Sequence, residues 1–326
     1  MAAMIGPGAK GRQARAVGPP GRLCSHAKRS GKGDEMARLV ASFRVGALEV
    51  TQLSDGSFHR PLGGFFDGVD PAEWMPLAGV ASPEEGAPFN FSAMLVRGDG
   101  HTTLIDTANG TRGVEDSWEG GAQLFARLAE VGVEPGDVDT VVYSHLHPDH
   151  IGWNLTPEGV PAFPNARFHL SEPELDWWLH YDGNDHPMRD YAREKMVPLV
   201  EAGRVESFVG DRQVTPSLTM VYAPGHTPGH CVQLLESEGE AALIVGDSAH
   251  HPVHLARQGW HSTFDWNRDQ ARAARRKLAE IALHKGAIVT GVHFPILTLG
   301  RIERDGAGGY RYVVTEGPGG GAADAP

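Results

Sequence analysis

The chain has 326 residues, of which 40% are hydrophobic and 21% are charged, and its 29 basic and 41 acidic residues give a formal net charge of −12. This composition predicts a soluble globular protein with a sizeable core. No apolar run approaches the roughly 18 residues that a membrane-spanning helix needs, which argues against a membrane partner. Without the basic stretch 1–35, the remaining body carries a net charge of −17. Because an acidic surface repels phosphate, we expect no nucleic-acid partner.

The first 36 residues differ in composition from the rest of the chain. They are rich in Gly, Ala and Pro and lack an apolar stretch of signal-peptide length. We expect a disordered basic leader over 1–36, with Met36 as an alternative start, one folded domain over 37–315 and a flexible tail over 316–326. Two cysteines, Cys24 and Cys231, do not make a disulfide framework, which favours a cytoplasmic location.

Strand patterns dominate the first part of the folded domain. Alternating apolar and polar residues predict a strand over 43–53, which ends at the turn signal Ser54-Asp55-Gly56. Residues 57–88 show no clear period and predict a long loop. The other elements expected here are a hairpin and a helix, predicted over 91–96 with 102–106 and over 123–130.

Strands and helices alternate in the second part of the domain. Ser171 is placed to cap a helix that continues through Trp177 and Trp178. Two further helices are predicted over 187–202 and 268–283. The predicted strands are 138–144, 167–170, 218–222, 232–235, 242–245, 287–291 and 310–314.

Ionisable residues recur just after the carboxyl ends of these predicted strands. They are Asp106, the run from His145 to His150, His226, Asp247 and His293. Mixed α/β sheets place their chemistry in clefts at strand ends. We therefore expect these side chains to converge on one site.

The run Ser144-His145-Leu146-His147-Pro148-Asp149-His150 predicts a metal site. A tight turn directly after a strand can direct His145, His147, Asp149 and His150 to one point, and imidazoles with a carboxylate suit zinc and neighbouring metals. Without a cation, such a group of polar side chains beside an apolar strand would be costly to bury. A solvated histidine-rich turn is the alternative interpretation.

The order of these motifs resembles the metallo-β-lactamase superfamily over roughly residues 40–314. The motifs that carry the resemblance are H-x-H-x-D-H, the first His of P-G-H-T-P-G-H (His226), the Asp of Gly246-Asp247 and the late His293. The resemblance implies an α/β fold, a four-layer αββα sandwich of two mixed β-sheets. It also implies two Zn²⁺ per chain, with Mn, Fe or Co as alternatives.

Carried over to this sequence, the resemblance assigns the metal ligands. One metal would be held by His145, His147 and His226, and the other by Asp149, His150 and His293. Asp247 would bridge the two metals. Asp106 would support the site without binding metal, and His230 would be structural.

Within the superfamily, the sequence resembles the methyl parathion hydrolase and quorum-quenching lactonase group. His147 stands where a redox di-iron branch has Glu, and Asp247 stands where one group of true β-lactamases has Cys. In short-loop lactonases a Tyr stands three residues after the bridging Asp, and here that position is His250. This departure widens the expectation from lactones to esters in general.

The resemblance implies a hydrolase in which a metal-bridging hydroxide attacks a carboxylic ester or lactone. Asp149 and His250 are the candidate catalytic residues, with His250 as a proton donor to the leaving group or as a hydrogen-bond partner. His251 and His254 are expected to pack. A side activity on aryl phosphotriesters stays open. The alternatives are a thioesterase resembling glyoxalase II, a β-lactam hydrolase and, as the non-enzymatic hypothesis, a metal-binding scaffold.

Aromatic residues in loops near the strand ends favour a small, hydrophobic substrate as the partner. The residues proposed to bind the substrate are Phe65, Phe66, Trp153, Trp178 and Phe294. The sequence leaves open whether the protein forms a homodimer.

Overall fold

Two mixed β-sheets of seven strands each form the centre of the protein. The structure, a computed structural model, describes residues 40–60, 65–111, 121–183, 186, 188–296 and 298–316. The leader predicted over 1–36 and the tail from 317 onwards lie outside the described residues. No helix in the described ranges is long and apolar enough to cross a membrane.

In the first sheet the spatial order of the seven strands is the same as their order along the chain. The strands β1 to β4 pair antiparallel, whereas β4 to β7 pair parallel. The strands are β1 (Val40–Val45), β2 (Leu48–Arg60), β3 (Ala87–Gly98), β4 (His101–Ile105), β5 (Thr140–Val142), β6 (Arg167–Ser171) and β7 (Val205–Phe208).

The second sheet has the strand order β14-β13-β12-β11-β10-β9-β8. Its β11 and β12 pair parallel, and the other neighbours pair antiparallel. The strands are β8 (Arg212–Thr215), β9 (Leu218–Tyr222), β10 (Cys231–Ser237), β11 (Glu240–Ile244), β12 (Ile288–Thr290), β13 (Leu299–Arg304) and β14 (Tyr310–Glu316).

Seven α-helices accompany the sheets in the described part of the chain. They are α1 (Pro71–Ala78), α2 (Leu124–Glu130), α3 (Pro148–Ile151), α4 (Glu172–Leu175), α5 (Arg189–Glu201), α6 (Pro252–Ala256) and α7 (Arg268–Lys285). The helices α2 and α5 pack on the first sheet, and α7 packs on the second.

An apolar cluster between the two sheets joins them face to face. Val50, Met94 and Ile105 of the first sheet meet Met220 and Ile244 of the second. Full burial of such a side chain is worth about 1.5–3 kcal/mol, so this interface is a main source of stability. The layers confirm the predicted αββα sandwich.

Strand register aligns the ends of the strands that precede the ionisable residues. Ile105 of β4 lies opposite Val142 of β5, and Ile244 of β11 lies opposite Thr290 of β12, in both cases in parallel pairs. The chain therefore leaves each pair of strands at one edge of its sheet, and the two edges adjoin, since His150 Nε2 after β5 lies 3.4 Å from Asp247 Oδ1 after β11. Asp106, the 145–150 run, Asp247 and His293 follow these ends directly.

The prediction for the first strand was wrong. A turn at Gly46 divides the expected strand 43–53 into β1 and β2, and β2 continues through the supposed turn at Ser54-Asp55-Gly56 with an irregularity in its pairing. The aligned β3 provides hydrogen bonds along the whole length of β2, and this pairing overrides the local turn preference.

The loop predicted over 57–88 is partly ordered structure. It contains the end of β2, the helix α1 and the start of β3. Phe65, Phe66, Trp74 and Phe89 form a buried cluster with Val253 of α6. The short strands β7, β8 and β13 were not predicted from the sequence.

The helix predicted from Ser171 through Trp178 changes type within its length. Ser171 caps it as predicted, accepting a hydrogen bond from the backbone N–H of Glu174. After α4 the residues Asp176–His180 form a π-helical turn. Such turns occur frequently at functional sites.

Candidate metal centre

The first part of the site is the run after β5, which leads into the single helical turn α3. Pro148 begins α3, where its missing N–H costs no hydrogen bond. The turn is tied to the segment after β4, because Thr107 N–H donates to the His150 carbonyl at 2.7 Å. A Cβ on Gly152 would lie 2.1 Å from the carbonyl carbon of Asn109, so only glycine allows this contact.

Glycines also shape the loop between β9 and β10, which carries His226. Gly225 has φ +141°, and a Cβ there would lie 2.1 Å from the backbone N of Ala271 at the start of α7. A Cβ on Gly229 would lie 2.1 Å from the backbone N of Glu174. The P-G-H-T-P-G-H sequence therefore lets the loop pack closely against two helices.

Seven side chains, from these two segments and from the ends of β11 and β12, meet in two groups that could each hold a metal ion. His145, His147, His226 and Asp247 form one group, and Asp149, His150 and His293 form the other. Within each group the candidate ligand atoms lie within 4.8 Å of one another. We call His145, His147 and His226 the three-histidine side, and Asp149, His150 and His293 the carboxylate side.

Asp247 lies between the two sides and presents one oxygen to each. Its Oδ2 is 3.2 Å from His226 Nε2 and 3.7 Å from His145 Nε2. Its Oδ1 is 3.1 Å from His293 Nε2 and 3.4 Å from His150 Nε2. A carboxylate in this position can bridge two cations.

The donor atoms fit a pair of divalent cations. His145 Nε2, His150 Nε2 and Asp247 Oδ1 are buried, and none of them has a hydrogen-bond partner among the described residues. Leaving a buried polar atom unpaired costs about 1–3 kcal/mol. Two cations, one on each side, would satisfy all three atoms, and imidazole with carboxylate is a ligand set suited to zinc.

The electrostatics of the site also favour cations. Burial lowers the pKa of His145 and of His147 well below the ordinary value, which keeps both rings in the neutral form that binds metals. Burial opposes the charged form of His226 as well, but Asp247 and Asp265 outweigh it and raise the pKa of His226 to about 9. The carboxylates thus attract positive charge, whether from a proton or from a metal ion.

The carboxylate side is held by short hydrogen bonds to the outer ring nitrogens. His150 Nδ1 lies 2.8 Å from Asp106 Oδ2, and His293 Nδ1 donates to the Asn90 carbonyl at 2.8 Å. Asp106 also accepts hydrogen bonds from the backbone N–H and the hydroxyl of Ser144. The expected supporting position of Asp106 agrees with these contacts.

The three-histidine side is held mainly through its backbone loops. Glu174 is buried and accepts hydrogen bonds from Leu146 N at 2.9 Å, Thr227 Oγ1 at 2.6 Å, Gly229 N at 2.9 Å and Trp178 Nε1 at 2.7 Å. It therefore links the residues next to His147 and His226. This role was not predicted from the sequence, because an acidic residue in the first turn of a helix is ordinary.

His250 lies at the site, beside Asp247. Its Nε2 is 3.1 Å from Asp247 Oδ2, and its ring is parallel to that of His293 at 5.7 Å. Its Nδ1 is buried without a hydrogen-bond partner in the described part of the chain. Burial lowers the pKa of His250 to about 4.

The other histidines near the site lie outside both groups. His230 Nε2 accepts a hydrogen bond from the backbone N–H of Asp247 at 3.0 Å. His251 caps α6, and His254 Nε2 lies 3.0 Å from the Trp260 carbonyl oxygen. These contacts agree with the structural roles expected for the three residues.

The structure places two of the five predicted substrate-binding residues against the site. The Phe65 ring lies 4.6 Å from the His250 ring, and the Trp178 ring lies 5.5 Å from the His147 ring. Phe66 instead packs on His254, and Phe294 packs in the core beneath α7. Trp153 lies in the core of the first sheet, where its indole N–H donates to Asp55.

The chain is similar in sequence to one known protein family and to several curated proteins. The family model described as the metallo-beta-lactamase superfamily matches residues 87–283. An N-acyl homoserine lactonase of Bacillus thuringiensis is 31% identical over 118 residues, which are 36% of this chain and 41% of the relative. The N-acyl homoserine lactonase AttM of Azorhizobium caulinodans is 27% identical over 220 residues, 62% of this chain and 80% of the relative. The chain thus spans about two fifths of the first relative's length.

Solved structures share the fold at lower sequence identity. The hydrolase AbOPH of the beta-lactamase superfamily superposes with a TM-score of 0.73 at 22% identity, over 84% of this chain and 96% of that protein. AidC, a dizinc quorum-quenching lactonase, superposes with a TM-score of 0.70 at 24% identity, over 84% and 97%. These likenesses show the same sandwich.

Proposed function

Because this chain belongs to the metallo-β-lactamase superfamily, we propose that it is a dinuclear metal-dependent hydrolase of carboxylic esters and lactones with hydrophobic substituents. The observation that carries the proposal is the position of Asp247, whose two oxygens face two separate groups of ligand-type side chains. Such a bridged pair of sites is a recurrent arrangement in metal-dependent hydrolases.

The proposed ligands are His145, His147 and His226 on one side and Asp149, His150 and His293 on the other, with Asp247 between them. We propose zinc as the metal, with Mn, Fe or Co as alternatives of similar ligand preference. Two such cations, when bound, would lower the pKa of water towards about 7 and polarise an ester carbonyl.

Asp149 and His250 are the residues proposed to move protons. Asp149 has a quarter of its side chain exposed, so its carboxylate can exchange a proton with solvent as well as hold a cation. His250 Nε2 faces Asp247, which leaves the Nδ1 lone pair of the neutral ring to take up the proton released by the attacking water and then to pass it to the leaving alkoxide. The burial of both His250 and Asp247 excludes bulk water from this exchange.

An aromatic rim beside the site supports a hydrophobic substrate. Tyr181, Phe264 and Trp266 are three of the five large hydrophobic side chains that are exposed in the described part of the chain. Trp266 is directly attached to the site, because its backbone N–H donates to the His226 carbonyl, and the Phe264 ring lies 5.8 Å from that of Phe65. The Trp177 ring lies between Trp266 and Tyr181.

Exposed aromatic side chains that adjoin one another usually mark a binding surface. We therefore propose Phe264 and Trp266 as substrate-binding residues together with Phe65 and Trp178, the two predicted residues that lie against the site. The relatives named N-acyl homoserine lactonase make acylated lactones the first class to test. Aryl phosphotriesters are a second class within the proposal.

Two measurements test the proposed function. Metal analysis of the protein prepared without chelators should find about two zinc, manganese, iron or cobalt ions per chain. Rates should then be compared for an aryl ester, an acyl homoserine lactone, a thioester, a β-lactam and a phosphotriester. We expect the ester and the lactone to be cleaved fastest.

The controls separate the parts of the proposal. Fewer than about one metal ion per chain would contradict the metal centre. Faster turnover of the thioester or the β-lactam than of any ester would replace the proposed substrate class with one of the alternatives. Full metal content without turnover of any substrate would favour a metal-binding scaffold.

A further inference from the structure

A fully buried ion pair lies directly behind the three-histidine side. Arg275 of α7 and the side chain of Asp265 have no exposed surface, and Arg275 Nη1 is 3.6 Å from Asp265 Oδ2. Burying two charges in this way is costly, and an apolar pair of similar volume is often at least as stable. The pair therefore calls for an explanation beyond packing.

The free oxygen of the pair faces a proposed metal ligand. Asp265 Oδ1 lies 3.4 Å from His226 Nδ1, the ring nitrogen opposite the one that faces Asp247. An acceptor at Nδ1 keeps the proton on that atom and leaves Nε2 with a free lone pair. Carboxylates on the outer nitrogen of a metal-bound histidine fix its tautomer and its orientation.

The guanidinium of Arg275 connects the same histidine to the segment that follows Asp247. It donates to the backbone carbonyls of Ser248 at 3.5 Å, Gln258 at 3.3 Å and Trp260 at 2.8 Å. This segment carries His250 and begins immediately after Asp247. Arg275 thus holds Asp265 and the chain around the bridging carboxylate with one planar group.

From this geometry we infer that Asp265, held by Arg275, is a positioning residue that orients the His226 imidazole for metal binding on the three-histidine side. The inference rests on the proposed metal centre but assigns a role that the ligand motifs do not contain. Asp106 occupies the corresponding place for His150 on the carboxylate side. Each side would then have one ring supported by a buried carboxylate.

The test compares Asp265→Asn with Asp55→Asn, a matched substitution of a buried carboxylate that touches no proposed ligand. Asp55 accepts hydrogen bonds from Gly110 N, Leu124 N and Trp153 Nε1. Zn²⁺ affinity is measured for both metal equivalents by competition with a chromophoric chelator, and the visible spectrum of the Co²⁺-loaded protein reports the coordination geometry.

We expect Asp265→Asn to weaken one Zn²⁺ equivalent by about 10–100-fold and to alter the Co²⁺ spectrum. The weakened equivalent should differ from the one that Asp106→Asn weakens. Asp55→Asn should lower thermal stability without changing either affinity by more than about threefold. Arg275→Lys, which keeps the charge but loses the planar fork, should give a smaller shift in the direction of Asp265→Asn and provides a second route if the Asn variant does not fold.

Unchanged Zn²⁺ affinities and an unchanged Co²⁺ spectrum in folded Asp265→Asn would overturn the inference while leaving the proposed function intact. The same would hold if Asp55→Asn weakened the same equivalent equally, since burial alone would then explain the effect. A wild-type protein that binds no Zn²⁺ or Co²⁺ would instead remove the metal centre itself.

Discussion

The two sides of the candidate centre hold their ligands in different ways. On the carboxylate side, His150 and His293 are anchored at the ring nitrogen by contacts of 2.8 Å, to Asp106 and to the Asn90 carbonyl. On the three-histidine side, the contact of His226 Nδ1 with Asp265 is longer, at 3.4 Å. The backbone of this side is held in addition by Glu174, which accepts hydrogen bonds from Leu146 N and Gly229 N in the two ligand loops.

This difference predicts how many metal ligands each substitution should displace. A change to a ring anchor should disturb one ligand, whereas a change to Glu174 should shift two loops and therefore two ligands by a smaller amount each. Solvent access differs as well, since Asp149 is a quarter exposed and the three-histidine side is buried. Variants that affect one side, both sides or neither can test this comparison.

The largest effect should come from Asp247→Ala, which removes the residue shared by the two sides. Several kcal/mol of charge stabilisation would be lost, so kcat should fall by more than about 1,000-fold. Metal analysis should show weaker binding of both equivalents. Retention of one equivalent at wild-type affinity would show that the two sides are independent and that Asp247 does not bridge them.

His250→Gln should have the next largest effect, because it changes proton transfer without removing a proposed ligand. We expect kcat for alkyl esters to fall by about 100-fold and metal content to stay at the wild-type value. An aryl ester with an acidic leaving group needs less proton donation and serves as the control, with a smaller loss. Equal losses for both esters would contradict the proton-transfer role.

Asp106→Asn should affect the carboxylate side alone. Asp106 has φ +57°, and asparagine tolerates this left-handed backbone where alanine would add strain. The loss of the charged acceptor at His150 should weaken one Zn²⁺ equivalent by about 10–100-fold, as measured by chelator competition. Equal weakening of both equivalents would mean that the supports act on the centre as a whole.

Glu174→Gln should give the smallest and most widely distributed effect. The amide NH₂ of glutamine cannot accept, so at least one of the four hydrogen bonds is lost, at a cost of about 1–3 kcal/mol in the free energy of unfolding. Denaturant unfolding should detect this cost, and Zn²⁺ affinity on the three-histidine side should fall by roughly tenfold or less. A larger loss of affinity on the carboxylate side would contradict the division into two supports.

Local patterns predicted the elements whose residues act on near neighbours. The run from His145 to His150 is short and leads into the helical turn Pro148–Ile151, so its spacing alone places four side chains together. Ser171 caps α4, and the amphipathic pattern over 268–283 identifies α7. The prediction for the first strand failed because β2 is extended by its pairing with β3, a distant segment that has no signature in residues 43–56.

The aromatic residues show the same limit. Phe294 follows His293 directly, and both were predicted to lie at the site. The Phe294 side chain instead packs in the core beneath α7. Phe264 and Trp266 lie far from the ligand motifs in sequence but reach the site because the turn around Asp265 is bonded to Gly225 and His226.

The sequence by itself determined the fold family and the candidate ligand set, because the ligands follow strands at recognisable motifs. Only the tertiary structure decided which carboxylates support them. Asp265, Glu174 and Arg275 come from separate segments and become partners of the ligands only when the two sheets and α7 pack together. Buried charges acquire their roles from the neighbours that satisfy them, and those neighbours are set by packing rather than by spacing along the chain.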